Sequence, residues 1–172
     1  MEKNKSKYQL KQVDVRLRLV NRKPLPSDRE IVNPEDAVRL LAKAMADLDR
    51  EHLFVINLDA AGHPLNYYGL VSIGDVRNAF VSMQSLFKSA LLCNASNILA
   101  VHNHPGGNLT PTKLDVEATK RMIEAGKLMN VPLVDHVVVS SHTGKYYSYL
   151  ENLPELFLEG AKEKMRSHVE LY

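Results

Sequence analysis

The chain has 172 residues, 45 % of them hydrophobic and 24 % charged, with a formal net charge of +2 and one cysteine. That length and balance fit one globular domain able to bury a core unaided, and the chain holds no internal repeat or low-complexity tract. The lone Cys93 excludes an intrachain disulfide and a multi-cysteine zinc site, and no apolar run approaches the ~18 residues that span a bilayer.

Residues 1–23 hold eight Lys or Arg against Glu2 and Asp14, a local charge of +6, which leaves −4 for the remainder. Residues 1–30 therefore read as a basic N-terminal arm, and residues 31–172 as the folded domain. Basic residues 3–23 could touch nucleic acid. No aromatic or recognition-helix pattern accompanies them, so a solvated leader is the plainer account. Residues 8–20 alternate polar and apolar, as a half-exposed edge strand does, and Lys23-Pro24-Leu25-Pro26 ends it as a linker.

Pro34 opens a predicted helix with Ala37, Leu41, Ala44 and Leu48 on one face, flanked by Val38 and Met45. Residues 52–59, HLFVINLD, are apolar on both sides and predict a central strand. A turn through Ala61-Gly62-His63-Pro64 leads to a second strand near 65–73. Ser82 is an N-cap candidate for a helix presenting Met83, Leu86, Phe87, Ala90 and Leu91 inward. Cys93 ends that apolar pattern and reads as a small buried hydrophobe.

A strand over 97–104 follows, then Pro105-Gly106-Gly107 and a helix start at Thr110-Pro111-Thr112. The helix, about 111–129, is expected to bury Leu114, Ala118, Met122, Ala125 and Met129. Residues 131–141 predict another strand and Tyr146–Leu150 a short edge strand. Pro154 starts a last helix with Phe157, Ala161 and Met165 inward. This order implies an α/β sandwich, one sheet with helices on both faces.

The window His102–Asp115, HNHPGGNLTPTKLD, carries the chemistry. Alternation along a strand puts His102 and His104 on one face and Asn103 on the other. Asp115 falls in the first turn of the next helix. Two imidazoles and that carboxylate can close three corners of a tetrahedron, the ligand set of a catalytic zinc site with the fourth position open. The plain alternatives are two hydrogen-bonded histidines at a strand end and a capping pair, Thr112-x-x-Asp115. A zinc deaminase would need His-x-Glu and a Pro-Cys-x-x-Cys pair, which one cysteine cannot supply.

The same window resembles the JAMM (JAB/MPN) metalloprotease signature, His-x-His, seven residues, then Ser-x-x-Asp, with Thr112 in the serine's place. Extended to Ala100–Asp115 and to Asp135-His136, it looks like the RadC branch, and the likeness runs from about Pro34 to Ser141. The resemblance implies a three-layer α-β-α sandwich of the JAB/MPN (cytidine-deaminase-like) type with one mixed sheet. It implies zinc held by His102, His104 and Asp115, and peptidase or isopeptidase activity through metal-bound hydroxide. Glu51, entering the 52–59 strand, matches the family's glutamate base, and Thr112 the residue that supports the oxyanion. Glu117 is disfavoured because residues two apart on a helix do not share a face.

Asp135-His136 reads either as outer support for a zinc-bound histidine or as a pair satisfied within its own strand. His52, His63, His142 and His168 read as structural or solvent-exposed. The RadC branch also implies an association with DNA repair, with a non-catalytic scaffold or DNA-associated domain as the alternative function. The matched region starts near Pro34, so the DNA-binding extension of longer relatives is expected to be absent. A soluble, cytoplasmic protein with no membrane contact is expected.

Overall fold

The structure is a computed structural model, and it describes residues 30–45, 48–71, 82–140 and 143–158. The predicted strand at 8–20, the basic residues 3–23, His142, Ala161, Met165 and His168 lie outside the described residues.

Among the described residues the elements follow in the order α1 Pro34–Met45, β1 His52–Leu58, β2 Pro64–Val71, α2 Met83–Leu92, β3 Asn97–His104, α3 Lys113–Leu128, β4 Leu133–Ser140, β5 Tyr146–Ser148 and α4 Tyr149–Asn152. The strands build one mixed sheet in the order β2-β1-β3-β4-β5. β1 runs antiparallel to both β2 and β3, β3 and β4 are parallel across the α3 crossover, and β5 returns antiparallel on β4. The doubly apolar β1 lies inside the sheet with Leu53 to Leu58 all buried.

Two cores cover the two faces, giving the expected three layers. On one face Ala37, Val38, Leu41 and Met45 of α1 pack on Phe54, Ile56, Leu99, Val101, Val137 and Val139. On the other, Leu86, Phe87 and Ala90 of α2 and Met122 and Ile123 of α3 pack on Leu53, Val55, Ile98 and Ala100. Burying a side chain of this size contributes ~1.5–3 kcal/mol, so these layers hold the central strand whose end carries the site.

The helix starts follow their sequence signals. Ser82 Oγ accepts from the Ser85 amide at 3.3 Å, and Asn33 Oδ1 accepts from the Asp36 amide at 3.0 Å. α2 and α3 each run out into an asparagine at positive φ, Asn94 (53°) and Asn130 (55°), the left-handed exit open to a short polar side chain.

Two inward faces differ from the expectation. Leu91 of α2 is half exposed, and the polar Ser89 is buried in its stead. Leu114 of α3 is also half exposed, and the buried face is Thr119, Met122, Ile123 and Gly126. Helix α3 is rolled so that Asp115 and Thr119 look at the sheet, and that roll carries Leu114 outward. A Cβ on Gly126 would meet the Val131 carbonyl oxygen at 2.8 Å, so the missing side chain lets α3 lie against the turn into β4. The edge strand expected over 146–150 stops at Ser148, where Ser148 Oγ caps the short α4 by accepting from the Glu151 amide at 3.0 Å.

Candidate metal centre

β3 ends at His104, and its alternation brings His102 and His104 out on the face that α3 covers. Their Nε2 atoms lie 2.9 Å apart. Asp115 Oδ1 is 3.7 Å from His102 Nε2, and Asp115 Oδ2 is 3.8 Å from His104 Nε2. Each of the three residues offers a donor atom within 4.8 Å of the others. Both histidines are buried, and Asp115 keeps a side-chain exposure of 19 %, so the cluster opens toward solvent on one side.

Asp115 is held where α3 begins. Thr112 is the N-cap: its Oγ1 accepts from the Asp115 amide at 3.2 Å. Asp115 Oδ2 in return accepts from the Thr112 amide at 2.8 Å and from the Thr112 hydroxyl at 2.7 Å. The capping pair and the carboxylate of the cluster are thus one arrangement, in which the helix start aims the side chain.

The hydrogen bonds around the imidazoles determine where their protons sit. His104 Nδ1 lies 2.5 Å from the Asn108 carbonyl, which only accepts, so the proton is on Nδ1 and the Nε2 lone pair is bare. For His102 the chain of partners is longer. Thr119 donates its single hydroxyl proton to the Asp115 backbone carbonyl at 2.7 Å. Thr119 Oγ1 must then accept from His136 Nδ1 at 2.7 Å. His136 Nε2 is left as the acceptor for His102 Nδ1 at 2.8 Å, and His102 Nε2 carries a lone pair too.

Burial drives the same way. Desolvation pulls the His102 pKa down to about 4, the Asp115 carboxylate opposing it and His104 adding to it. Burial also holds His136 well below the ordinary histidine range, with the two neighbouring imidazoles adding to the effect. With both imidazoles in the neutral form that these hydrogen bonds select, two Nε2 lone pairs face each other beside a carboxylate. In water-poor surroundings that arrangement is repulsive until a cation enters it, so the donor set fits a divalent metal, and two imidazoles with one carboxylate suit zinc.

His136 resolves the open pair at 135–136. It supports His102 and stacks on Tyr149, with ring centroids 4.9 Å apart and planes 8° from parallel. Asp135 is satisfied within its own surroundings, accepting from the His136 and Leu150 amides at 2.7 and 2.9 Å and contacting Ser148 Oγ at 2.6 Å. Burial pushes the Asp135 carboxyl up in spite of those bonds. Thr119 is the member that the sequence did not reveal; a threonine in mid-helix carries no signal of its own.

Glu51 is exposed, one residue before β1. The β1–β3 pairing ends at Leu53 opposite His102, and Glu51 precedes β1. Glu117 is exposed on the outer side of α3. His63 sits in its turn against Asp59 at 3.1 Å, His52 Nδ1 contacts the Arg50 carbonyl at 3.1 Å, and neither joins the cluster. Cys93 is half buried, with its thiol on the Ala90 carbonyl at 3.5 Å.

Residues 31–154 match the model of the RadC-like JAB domain family. The chain is 42 % identical over 115 residues to a UPF0758 protein of Syntrophomonas wolfei, an alignment covering 64 % of this chain and 48 % of the relative. It is 37 % identical over 114 residues to one of Caldanaerobacter subterraneus, covering 66 % and 48 %. A third, from Chloroflexus aurantiacus, is 37 % identical over 121 residues, covering 70 % and 52 %. The chain thus spans about half the length of the curated relatives it matches. Among the described residues, no helix is long and apolar enough to cross a membrane.

Proposed function

The chain belongs to the RadC-like JAB domain family, and on that premise we propose that it is a zinc-dependent hydrolase of peptide or isopeptide amides. The observation that carries this reading is the convergence of two Nε2 atoms and one carboxylate where β3 ends and α3 begins. His102, His104 and Asp115 would hold the ion. When bound, zinc lowers the pKa of water toward ~7 and polarises a carbonyl.

The remaining work falls to the chain. Glu51 takes the proton of the attacking water and hands it to the leaving amine, which a carboxylate outside the ligand set can do. His136 and Asn108 keep both ligand imidazoles turned with Nε2 inward. Thr112 orients Asp115 first. Its hydroxyl, turned from Oδ2, is the donor for negative charge developing on the substrate oxygen, a contact whose loss costs ~3 kcal/mol in other hydrolases. An association with DNA repair enters only through the family resemblance.

The test is purification without added metal, zinc analysis, and hydrolysis of a fluorogenic mixture of short peptide amides and lysine isopeptides. About one zinc per chain is expected, with loss of zinc in His104→Ala. In Glu51→Gln zinc is kept and hydrolysis is lost. A zinc-free protein, or unchanged hydrolysis in Glu51→Gln, would overturn the proposal in favour of a non-catalytic scaffold or of another base.

A further inference from the structure

Asn103 lies between the two histidines, yet it leaves the sheet on the opposite face and is fully buried. Its Oδ1 accepts from the His52 amide at 2.7 Å, and its Nδ2 donates to the Arg50 carbonyl at 3.1 Å. These two peptide groups flank Glu51. The β1–β3 pairing ends at Leu53 and His102, so the ladder does not itself fix residue 51. A side chain from β3 performs that task, tying the backbone on both sides of Glu51 to the strand that presents the two imidazoles.

We propose that Asn103 is a positioning residue for Glu51: it locks the peptide groups at 50 and 52, so that the carboxylate is carried on the same rigid strand end as His102 and His104. The inference rests on Glu51 being the base of the reaction proposed above. An exposed glutamate on an untied strand end would sample many positions, whereas a base must stay within hydrogen-bond reach of the proton it removes. Both amide functions of Asn103 are needed, because one peptide group is a donor and the other an acceptor. Aspartate keeps the acceptor for His52 and loses the donor to Arg50.

The experiment needs no substrate. The full chain, labelled with 13C at glutamate carboxyls, is loaded with Co2+, and the paramagnetic relaxation of the Glu51 carboxyl is read by NMR, the signal being assigned with Glu51→Gln. In the wild type this carboxyl is expected to relax strongly. In Asn103→Ala its relaxation falls several-fold, because the effect drops with the sixth power of distance, while Co2+ affinity stays unchanged. Asn103→Asp falls between the two. Should the alanine variant fail to fold, the near-isosteric Asn103→Asp is read by the same outcomes. Relaxation equal to wild type overturns the inference, as does loss of Co2+ from a folded variant, since Asn103 would then serve the ligands rather than Glu51. A carboxyl that is unrelaxed in the wild type removes Glu51 from the site altogether, and with it the base assignment.

Discussion

Thr119→Val exchanges a hydroxyl for a methyl of nearly the same shape, and its consequence should appear at His102, two side chains away. Thr119 Oγ1 is the acceptor for His136 Nδ1–H, and Thr119 is fully buried. Without it that N–H is orphaned, at a cost of ~1–3 kcal/mol. His136 escapes the cost by moving its proton to Nε2, where it donates to His102 Nδ1. His102 must then carry its own proton on Nε2, the atom that faces His104 Nε2 at 2.9 Å. In the metal-free protein this is a satisfactory hydrogen bond, so apo stability should change by less than ~1 kcal/mol. Metal binding has to undo the exchange, and ~1–3 kcal/mol is a ~5- to 150-fold loss of affinity at 1.36 kcal/mol per decade. Competition against a chromogenic chelator measures the zinc affinity, and thermal melts of the apo protein supply the control. Thr119→Ser should retain wild-type affinity. Equal zinc affinity in Thr119→Val would refute the proton arrangement deduced for the site.

Further expectations concern the surrounding frame. Burial raises the Asp135 carboxyl in the folded state above its ordinary value of 3.8, so its stabilising contribution is present at low pH and lost as pH rises through the folded value. Asp135→Asn, which keeps an acceptor for the His136 and Leu150 amides, should therefore gain on wild type between pH 4 and pH 7 in denaturant melts; a gap independent of pH would contradict this. Gly126→Ala should destabilise by ~1–2 kcal/mol, the clash with the Val131 carbonyl outweighing the ~1 kcal/mol of helix propensity gained. A rise in melting temperature would show that α3 can move away. Thr112→Ala should cost ~1 kcal/mol as a lost cap and also weaken zinc binding by freeing Asp115, whereas Thr112→Ser should do neither; chelator competition and melts separate the two effects.

The parts of this fold written in hydrophobic period were legible. The run HLFVINL identified an interior strand, Pro34 and Ser82 marked helix starts, and the alternation of His102 and His104 placed both imidazoles on one face. Asp115 could be placed because Thr112-Pro111 marks the turn before it. The inward face of α3 was not legible, because counting apolar residues selects Leu114, whereas the helix is rolled to present Asp115, Thr119 and the side-chain-free Gly126. Which of Asp135 and His136 supports the site was equally hidden. Ile98 pairs with Leu133 but Leu99 with Asp135, so Val134 is an extra residue on β4 that reverses its parity. The alternation pattern alone carries no mark of that bulge. Nor could spacing show Asn103 reaching 51 residues back to His52, a contact made only when β3 lies beside β1.

The most direct test of the central claim, that His102, His104 and Asp115 converge on one divalent cation, is X-ray absorption at the zinc edge of the purified protein, compared with Asp115→Ala. The account predicts two imidazole nitrogens at ~2.0–2.1 Å with oxygen completing the shell, and the loss of one oxygen or of the metal itself in the variant. A sulfur scatterer, a shell without imidazole, or an identical spectrum from Asp115→Ala would contradict it.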